Sequence, residues 1–229
     1  MISIIIPTLN EAHNVPLIIT QIKKINLNCE IIFVDDDSTD NTSSIIKNHL
    51  SKNIKLIERL KKPRDLSKSV MLGVKKSKHK YILVIDCDLQ HSLKKVNSMY
   101  KAVKYNKCDL AIGSRFLIER YSGNLGYSRS FFSILFIFLI NFFLDKKSTD
   151  PLSGFFLCKK RIILDYKKNF FLKGYKILFD IIYNGKKNVK IQDFQINFKK
   201  RLHGKSKLGL KIVIIFIKQF IYSYLNQIK

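Results

Sequence analysis

The residues best suited to chemistry are Asp86, Asp88 and Gln90, which come after an apolar run at 81–85. A buried strand that empties into two carboxylates and an amide places three hard oxygen ligands at the end of a sheet. Such a set suits a magnesium or manganese ion carrying a diphosphate. A departing nucleoside diphosphate accumulates negative charge, and a bound divalent ion stabilises it in the transition state. Asp86-Cys87-Asp88 therefore points to an enzyme that handles a nucleotide or a nucleotide-sugar. His91 comes next, but a histidine in such a place more often packs or bonds locally than ligates. Two further polar clusters come after apolar runs: Asn10-Glu11 after residues 2–6, and Asp35-Asp36-Asp37 after residues 30–34.

The elements that must hold these residues alternate. Continuous apolar, β-branched runs predict strands at 2–6, 30–34, 54–57, 81–85 and 110–113. Helices are expected at about 14–25 with Pro16 in the first turn, through about 50 with Asp40 or a neighbour as cap, at 66–76, and at 93–105 capped by Ser92. This alternation implies an α/β fold with a mostly parallel sheet and helices on both faces. Ligands of such sheets bind beyond the carboxyl ends of the strands, where all three acidic clusters lie.

After about Gly113 the alternation stops. Residues 131–144 are almost wholly apolar and aromatic, yet too short for a bilayer span of about 20 residues. They form either a core helix or an interfacial helix lying on a membrane. The tail at 208–228 is also apolar, but Lys211 and Lys218 interrupt it and could snorkel from an interfacial helix. A true span there is the less favoured reading.

The chain has 229 residues, enough for one large domain or one domain plus an appendage, and at 46% hydrophobic it can fill a core. Its formal charge is +25, from 42 basic and 17 acidic side chains. Such an excess attracts nucleic acid, anionic lipid or phosphorylated substrates. An AT-rich genome, which enriches Lys, Ile and Asn, produces the same excess without any such partner. Cys29, Cys87, Cys108 and Cys158 lie far apart with no CxxC pair, which favours reduced thiols in a cytoplasmic setting over zinc or a disulfide framework. The N-terminus runs straight into a strand and lacks the pattern of a signal peptide.

Seven segments occur in an order that resembles a known family. They are Pro7-Thr8-Leu9-Asn10-Glu11, Asp35-Asp36-Asp37-Ser38-Thr39-Asp40-Asn41-Thr42, Asp86-Cys87-Asp88-Leu89-Gln90-His91, Gly113-Ser114-Arg115, Asp150-Pro151-Leu152-Ser153-Gly154-Phe155-Phe156, Gly174-Tyr175-Lys176-Ile177-Leu178, and Arg201-Leu202-His203-Gly204-Lys205-Ser206-Lys207-Leu208. The chain resembles the inverting family-2 glycosyltransferases, in particular the branch of dolichol- or polyprenol-phosphate mannose synthases. The resemblance implies a GT-A fold over residues 1–208, with a nucleotide-sugar half at 1–115 and an acceptor half at 116–208 that contains the interfacial helix 131–144. A membrane-associating tail would occupy 209–229. It makes Asp88 and Gln90 metal ligands for Mg2+ or Mn2+. Asp86 then contacts the donor or the water shell of the metal, and Arg115 lies beside the donor diphosphate or sugar. Pro7, Leu9, Asn10, Glu11, Asp36, Asp37, Lys68 and Cys87 join the nucleotide-sugar pocket, with Arg64 as an alternative phosphate contact. The acceptor is a polyprenyl or dolichyl monophosphate, held by Arg129, Ser153, Arg201, Lys205, Ser206 and Lys207. Asp86, Asp88, Arg115 and Arg129 carry the chemistry.

Each assignment has a plainer counterpart. Glu11 could serve only a helix dipole, Asp36 and Asp37 only a turn, and each basic residue only the surface. Several positions depart from the family pattern. Leu9 replaces a common Tyr, Asn41 a Gly for which it is the next best left-handed residue, Asp180 and Asp193 a Glu, and Gln195 a Pro. Gly154 is expected to admit a close backbone approach.

The resulting expectation is sugar transfer, preferably of mannose from GDP-mannose, at the cytoplasmic face of a membrane. UDP-glucose and UDP-N-acetylglucosamine are alternative donors, and a separate membrane-anchoring subunit is compatible with the reading. A nucleic-acid-binding protein is disfavoured. No aromatic-plus-basic recognition motif is present, and acidic strand ends would repel a phosphate backbone. A catalytically dead membrane adaptor is disfavoured because Asp86, Asp88 and Gln90 are intact.

Overall fold

The computed structural model describes residues 1–116, 127–145, 147–199 and 210–228; side chains at 127–134, 210, 211 and 228 are outside the description. Seven strands form one sheet: β1 (Ile2–Thr8), β2 (Cys29–Asp35), β3 (Ile54–Glu58), β4 (Tyr81–Val84), β5 (Leu110–Ser114), β6 (Phe156–Lys159) and β7 (Ile191–Gln195). Their spatial order is β3-β2-β1-β4-β6-β5-β7. All pairings are parallel except those of β6, which runs antiparallel between β4 and β5. The α/β expectation holds, and β6 and β7 extend the sheet beyond the point where the alternation fades.

Register explains why the acidic residues converge. Thr8 lies opposite Asp35, Asp35 opposite Glu58, and Ile5 opposite Val84. The first four strands therefore end at one edge, and the loop leaving each strand emerges on the same side of the molecule. β1 and most of β2 are buried along their length, as expected for strands covered on both faces.

Helices α1 (Val15–Lys23), α2 (Thr42–Lys47), α3 (Leu66–Lys76) and α4 (Val96–Lys104) come after the first four strands in turn. Pro16 occupies the first turn of α1 as expected. Asp40 accepts the Thr42 amide at 2.9 Å and so serves the start of α2. Asn41 has φ −81°, so this position demands no left-handed residue and its likeness to Gly is not used. Ser92 makes no side-chain cap: a 3-10 turn, Leu93–Lys95, intervenes before α4. Gly73 of α3 meets β1 closely, since a Cβ there would lie 2.5 Å from Ile5 Cγ2.

Beyond β5 come α5 (Tyr127–Phe143), α6 (Lys160–Leu164), α7 (Ile177–Tyr183) and α8 (Leu210–Ile228). The apolar segment 131–144 buries one side and exposes another. Ile140 and Leu144 are buried, while Phe138 and Phe142 are 62% and 72% exposed. Aromatic contacts join α5 to α8, with Phe136 against Phe216 and Phe143 against both Phe220 and Tyr224. The outward side of α8 exposes Ile214, Ile217, Ile221 and Leu225. Among the described residues no helix is long and apolar enough to cross a membrane.

Candidate active site

Three turns shape the cleft at the carboxyl edge of the sheet. Each passes through a left-handed residue: Asn10 after β1 (φ 54°), Asp37 after β2 (φ 62°) and Leu89 after β4 (φ 61°). Asn and Asp tolerate this conformation; for Leu it costs on the order of 1–2 kcal/mol. The strained residue lies between Asp88 and Gln90, in the loop with the greatest chemical potential.

Hydrogen bonds tie the first two turns together. Asn10 Oδ1 accepts the Thr39 amide at 2.8 Å, and the Asn10 amide donates to Ser38 Oγ. Asp35 is buried and accepts from Thr8 Oγ1 and from the amide and hydroxyl of Ser38. Asn10, Asp35 and Asp37 thus build the turns and do not line the cleft, whereas Pro7, Thr8, Leu9, Glu11 and Asp36 do. Asn10 and Asp37 each occupy the left-handed position of their turn. Glu11 accepts the side-chain amide of Asn14 at 2.7 Å, so it serves the start of α1 while facing the cleft.

Asp36 has a partner that sequence reasoning missed. Arg59, directly after β3, forms a buried ion pair with it and also donates to the Asp65 carbonyl and to Ser69 Oγ. The Asp65 amide donates to the other Asp36 oxygen. Burial raises the Asp36 carboxyl above its ordinary value, against the opposing pull of that amide and of Arg59. Asp65 in turn caps α3 through the Lys68 amide and accepts the Gly174 amide at 2.9 Å. Lys68 is exposed and outside the cleft lining, and Arg64 is exposed and donates to the Asp37 carbonyl.

The loop after β4 brings Asp86, Cys87 and Asp88 into the cleft lining. Gly154 lies against Asp86; any Cβ at 154 would collide with Asp86 Oδ2. The close approach expected of this glycine is therefore made to a carboxylate. Gln90 is buried, and its Nε2 donates to the Lys199 carbonyl at 3.0 Å while its own carbonyl accepts the Lys199 amide at 2.8 Å. His91 stacks on Phe155, and burial pushes its pKa down to about 4. It is a packed neutral ring, in line with its exclusion as a ligand.

Arg115 does not line the cleft. Its Nε and Nη2 grip the two oxygens of buried Asp150 at 2.7 and 2.8 Å. Burial works against its charge, but Asp150, with Asp86 adding to the field, raises its pKa above the ordinary arginine value. Asp193 steadies this pair by accepting from Ser148 Oγ and from the Thr149 amide and hydroxyl. Asp180 similarly accepts the amides of Phe171 and Leu172. Both aspartates, where the family pattern has Glu, are structural. Ser153 lines the cleft, yet its hydroxyl donates to the Gly113 carbonyl and accepts the Phe155 amide. Arg129 belongs to α5, but its side chain is outside the described residues, as are Arg201, Lys205, Ser206 and Lys207.

The opposite wall is apolar. Leu152, Phe156, Ile177 and Leu178 continue into Phe136 of α5 and Ile212, Val213, Ile215 and Phe216 of α8. The cleft, of 280 Å³, therefore has carboxylates on one side and two apolar helices on the other. Lys176 and Tyr175, to which sequence reasoning attached no role, line the junction.

The sequence pattern of a known family, glycosyl transferase family 2, matches residues 3–166. The chain belongs to this family. Family-2 relatives include the dolichol-phosphate mannosyltransferase of Pyrococcus furiosus, 34% identical over 95% of this chain, and that of Saccharomyces cerevisiae, 24% identical over 95%. This chain spans 62% of the length of the Pyrococcus protein and 84% of the yeast one. Among solved structures, glucosyl-3-phosphoglycerate synthase from Mycobacterium tuberculosis, with Mn2+, UDP-glucose and phosphoglyceric acid, superposes with a TM-score of 0.71 at 14% identity. That match covers 99% of this chain and 79% of the other, and the shared fold is GT-A.

A divalent metal fits the residues present. Asp86 and Asp88 supply two carboxylates at one strand end, and Glu11 and Asp36 add negative charge to the same cleft. Mg2+ and Mn2+ sites of this kind use one or two carboxylates and complete the shell with water and phosphate oxygens. Among the described residues no cluster of three or more His, Cys, Asp or Glu could hold a metal by itself. The Gln90 amide nitrogen donates to the Lys199 carbonyl, and the amide oxygen is the atom through which a Gln side chain ligates a metal.

Proposed function

We propose that the protein transfers a sugar, preferably mannose from GDP-mannose, onto a polyprenyl or dolichyl monophosphate at the cytoplasmic face of a membrane. One observation carries the reading: a single cleft joins strand-end carboxylates to an apolar wall built by α5 and α8. A nucleotide-sugar suits the first half and an isoprenoid tail the second. The names of the family-2 relatives from Pyrococcus and yeast support the acceptor and the sugar.

The residues divide the work. Thr8, Leu9, Glu11 and Asp36 face the nucleoside, with Arg59 holding Asp36 in place. Asp86 and Asp88, with Gln90, would hold Mg2+ or Mn2+, which when bound offsets the charge that develops on the leaving diphosphate. Arg115, fixed by Asp150, sets the field around Asp86. An acceptor phosphate oxygen is already anionic near neutral pH. It bonds to the anomeric carbon while the bond to the donor phosphate breaks and its electron pair departs with the diphosphate, inverting the configuration. Alignment of the two phosphates, more than proton transfer, is the task left to the protein. The acceptor-phosphate role of Arg129, Arg201, Lys205, Ser206 and Lys207 is part of this proposal.

The exposed apolar residues of α5 and α8 would lie in the membrane interface, so the chain is peripheral. The same faces could seat a membrane-anchoring subunit, and binding of the chain alone to protein-free liposomes distinguishes the two. The decisive assay supplies labelled GDP-mannose, UDP-glucose or UDP-N-acetylglucosamine with polyprenyl phosphate and Mg2+ or Mn2+. Chloroform-extractable label from GDP-mannose is the expected result, and label from a UDP-sugar alone would reassign the donor. No labelled lipid from any donor would end the proposal.

A further inference from the structure

Tyr175 lines the cleft where its carboxylate side meets its apolar side. The chain on either side of it is pinned. The Gly174 amide donates to Asp65 Oδ2 at 2.9 Å, and the Gly174 carbonyl accepts the Ser67 amide at 2.9 Å. Residue 174 is thus held to the start of α3 by both of its backbone polar groups. Its φ of 91° is a left-handed conformation that a side chain would strain, and a Cβ there would lie 2.7 Å from Ile215 Cγ2 of α8. Two residues on, the Lys176 carbonyl accepts Gln219 Nε2 of α8 at 3.1 Å. The backbone that carries Tyr175 is therefore fixed to α3 before it and to α8 after it.

The same anchors tie Tyr175 to the carboxylate side. Asp65, whose carboxylate holds Gly174, donates its own amide to Asp36. One residue thereby sets the spacing between Asp36 and the backbone of Tyr175. Burial raises the Tyr175 phenol above its ordinary value, and the charges of Asp36 and Asp65 add to the rise while Arg64 opposes it. The phenol is thus within electrostatic reach of Asp36. Leu66 and Ser69, from the first turn of α3, line the same cleft. The other aromatic rings of the described lining, Phe136, Phe156 and Phe216, belong to the apolar wall. A nucleoside presents a polar edge and a flat face. Carboxylates can read an edge but cannot cover a face. A phenol supplies a flat apolar body with a polar tip, and stacking on such a ring tolerates any base.

We propose that Tyr175 closes the donor pocket from the second half of the chain, packing its ring on the base of the bound nucleotide. The assignment rests on the nucleotide-sugar reading above and adds to it a wall for the base. Ile177 and Leu178 follow closely and belong to the apolar side, so the test separates a nucleotide contact from a contact with the lipid tail. Wild type, Tyr175→Leu and Tyr175→Phe are compared as full chains. The measured quantities are the Kd for GDP and for UDP with Mn2+, the Kd for pyrophosphate with Mn2+, and the acceptor KM with a short polyprenyl phosphate at saturating donor. Pyrophosphate carries the charge of the nucleotide without its base.

Tyr175→Leu should weaken nucleotide binding by about 5- to 100-fold, the loss expected for one base–aromatic stack. The pyrophosphate Kd and the acceptor KM should stay near wild type. Tyr175→Phe keeps the ring and should recover most of the nucleotide affinity. An unchanged nucleotide Kd in Tyr175→Leu overturns the assignment, as does an equal loss for pyrophosphate. A rise in acceptor KM without a change in nucleotide Kd moves the ring to the lipid and also overturns it. Equal loss in Tyr175→Phe and Tyr175→Leu rejects the stack. If Tyr175→Leu does not fold, wild type with tyrosine as its only protonated aromatic residue is studied by NMR with GDP or UDP and Mg2+. Magnetisation should pass from a tyrosine ring to the base protons, and Tyr175→Phe should abolish the transfer. No transfer, or transfer that survives the substitution, rejects the assignment. Wild type that binds neither nucleotide would reject the proposed function and this assignment together; binding by wild type with no effect of the variants would reject this assignment alone.

Discussion

At the scale of single residues, the cleft depends on close approaches between a few groups. Gly154 presses on the Asp86 carboxylate, so Gly154→Ala should displace it and cut transfer by about 100-fold with little effect on melting temperature. Activity within twofold of wild type would show that Asp86 has room to move. Arg59→Met leaves the buried Asp36 carboxylate without its partner. Stability should fall by about 3–5 kcal/mol, as read from urea unfolding. Sequence reading reached Asp36 because an acid after a buried strand stands out, but it missed Arg59 and Lys176. In a chain with 42 basic residues a single Arg or Lys carries little signal. The available hint for Arg59 was its place directly after the third strand, level with Asp35 and Asp36. Asn10 and Asp37 are of the polar types that both bind ligands and build left-handed turns, and both occupy such turns here.

At the scale of elements, the first four strands and their helices were legible because strand and helix periods alternate clearly. The second half was harder. β6 is only four residues long and inserts antiparallel between β4 and β5, a neighbour relation that no local pattern encodes. The segment at 131–144 looked ambiguous because α5 buries one face and exposes another. α8 has the same division: Phe216, Gln219 and Ser223 face inward, while Ile217 and Ile221 are exposed. Replacing Ile217 and Ile221 with Glu should reduce liposome binding by about 100- to 1,000-fold, because about 2 kcal/mol of apolar transfer is lost per side chain. The GDP Kd should be unaffected. Equal liposome binding by wild type and this double variant would remove α8 from the membrane contact.

At the scale of the whole molecule, charge sets the response to acid. At the end of the sheet away from the cleft, Glu30 is buried, which alone would raise its pKa. Hydrogen bonds from Lys55, the Lys78 amide and Ser3 outweigh this and hold it below its ordinary value of 4.5. The unfolded chain therefore takes up a proton at Glu30 before the folded chain does. The stability this carboxylate contributes is present above pH 4.5 and is lost as pH falls through the lower folded value. The stability gap between wild type and Glu30→Gln should accordingly shrink below that pH; a constant gap would contradict the assignment. Asp36 and Asp180, raised by burial, act in the opposite sense, so the variant comparison is more informative than the acid curve of wild type alone.

The claim on which the molecule's chemistry turns is that a divalent ion joins the strand-end carboxylates to a nucleoside diphosphate. Titrating Mn2+ into the protein with GDP, and monitoring the paramagnetic signal of the free ion, reads this directly. Wild type should take up one ion with GDP present, and Asp88→Ala should leave it free at the same concentrations while keeping its fold by circular dichroism. Equal uptake by both proteins would contradict the account.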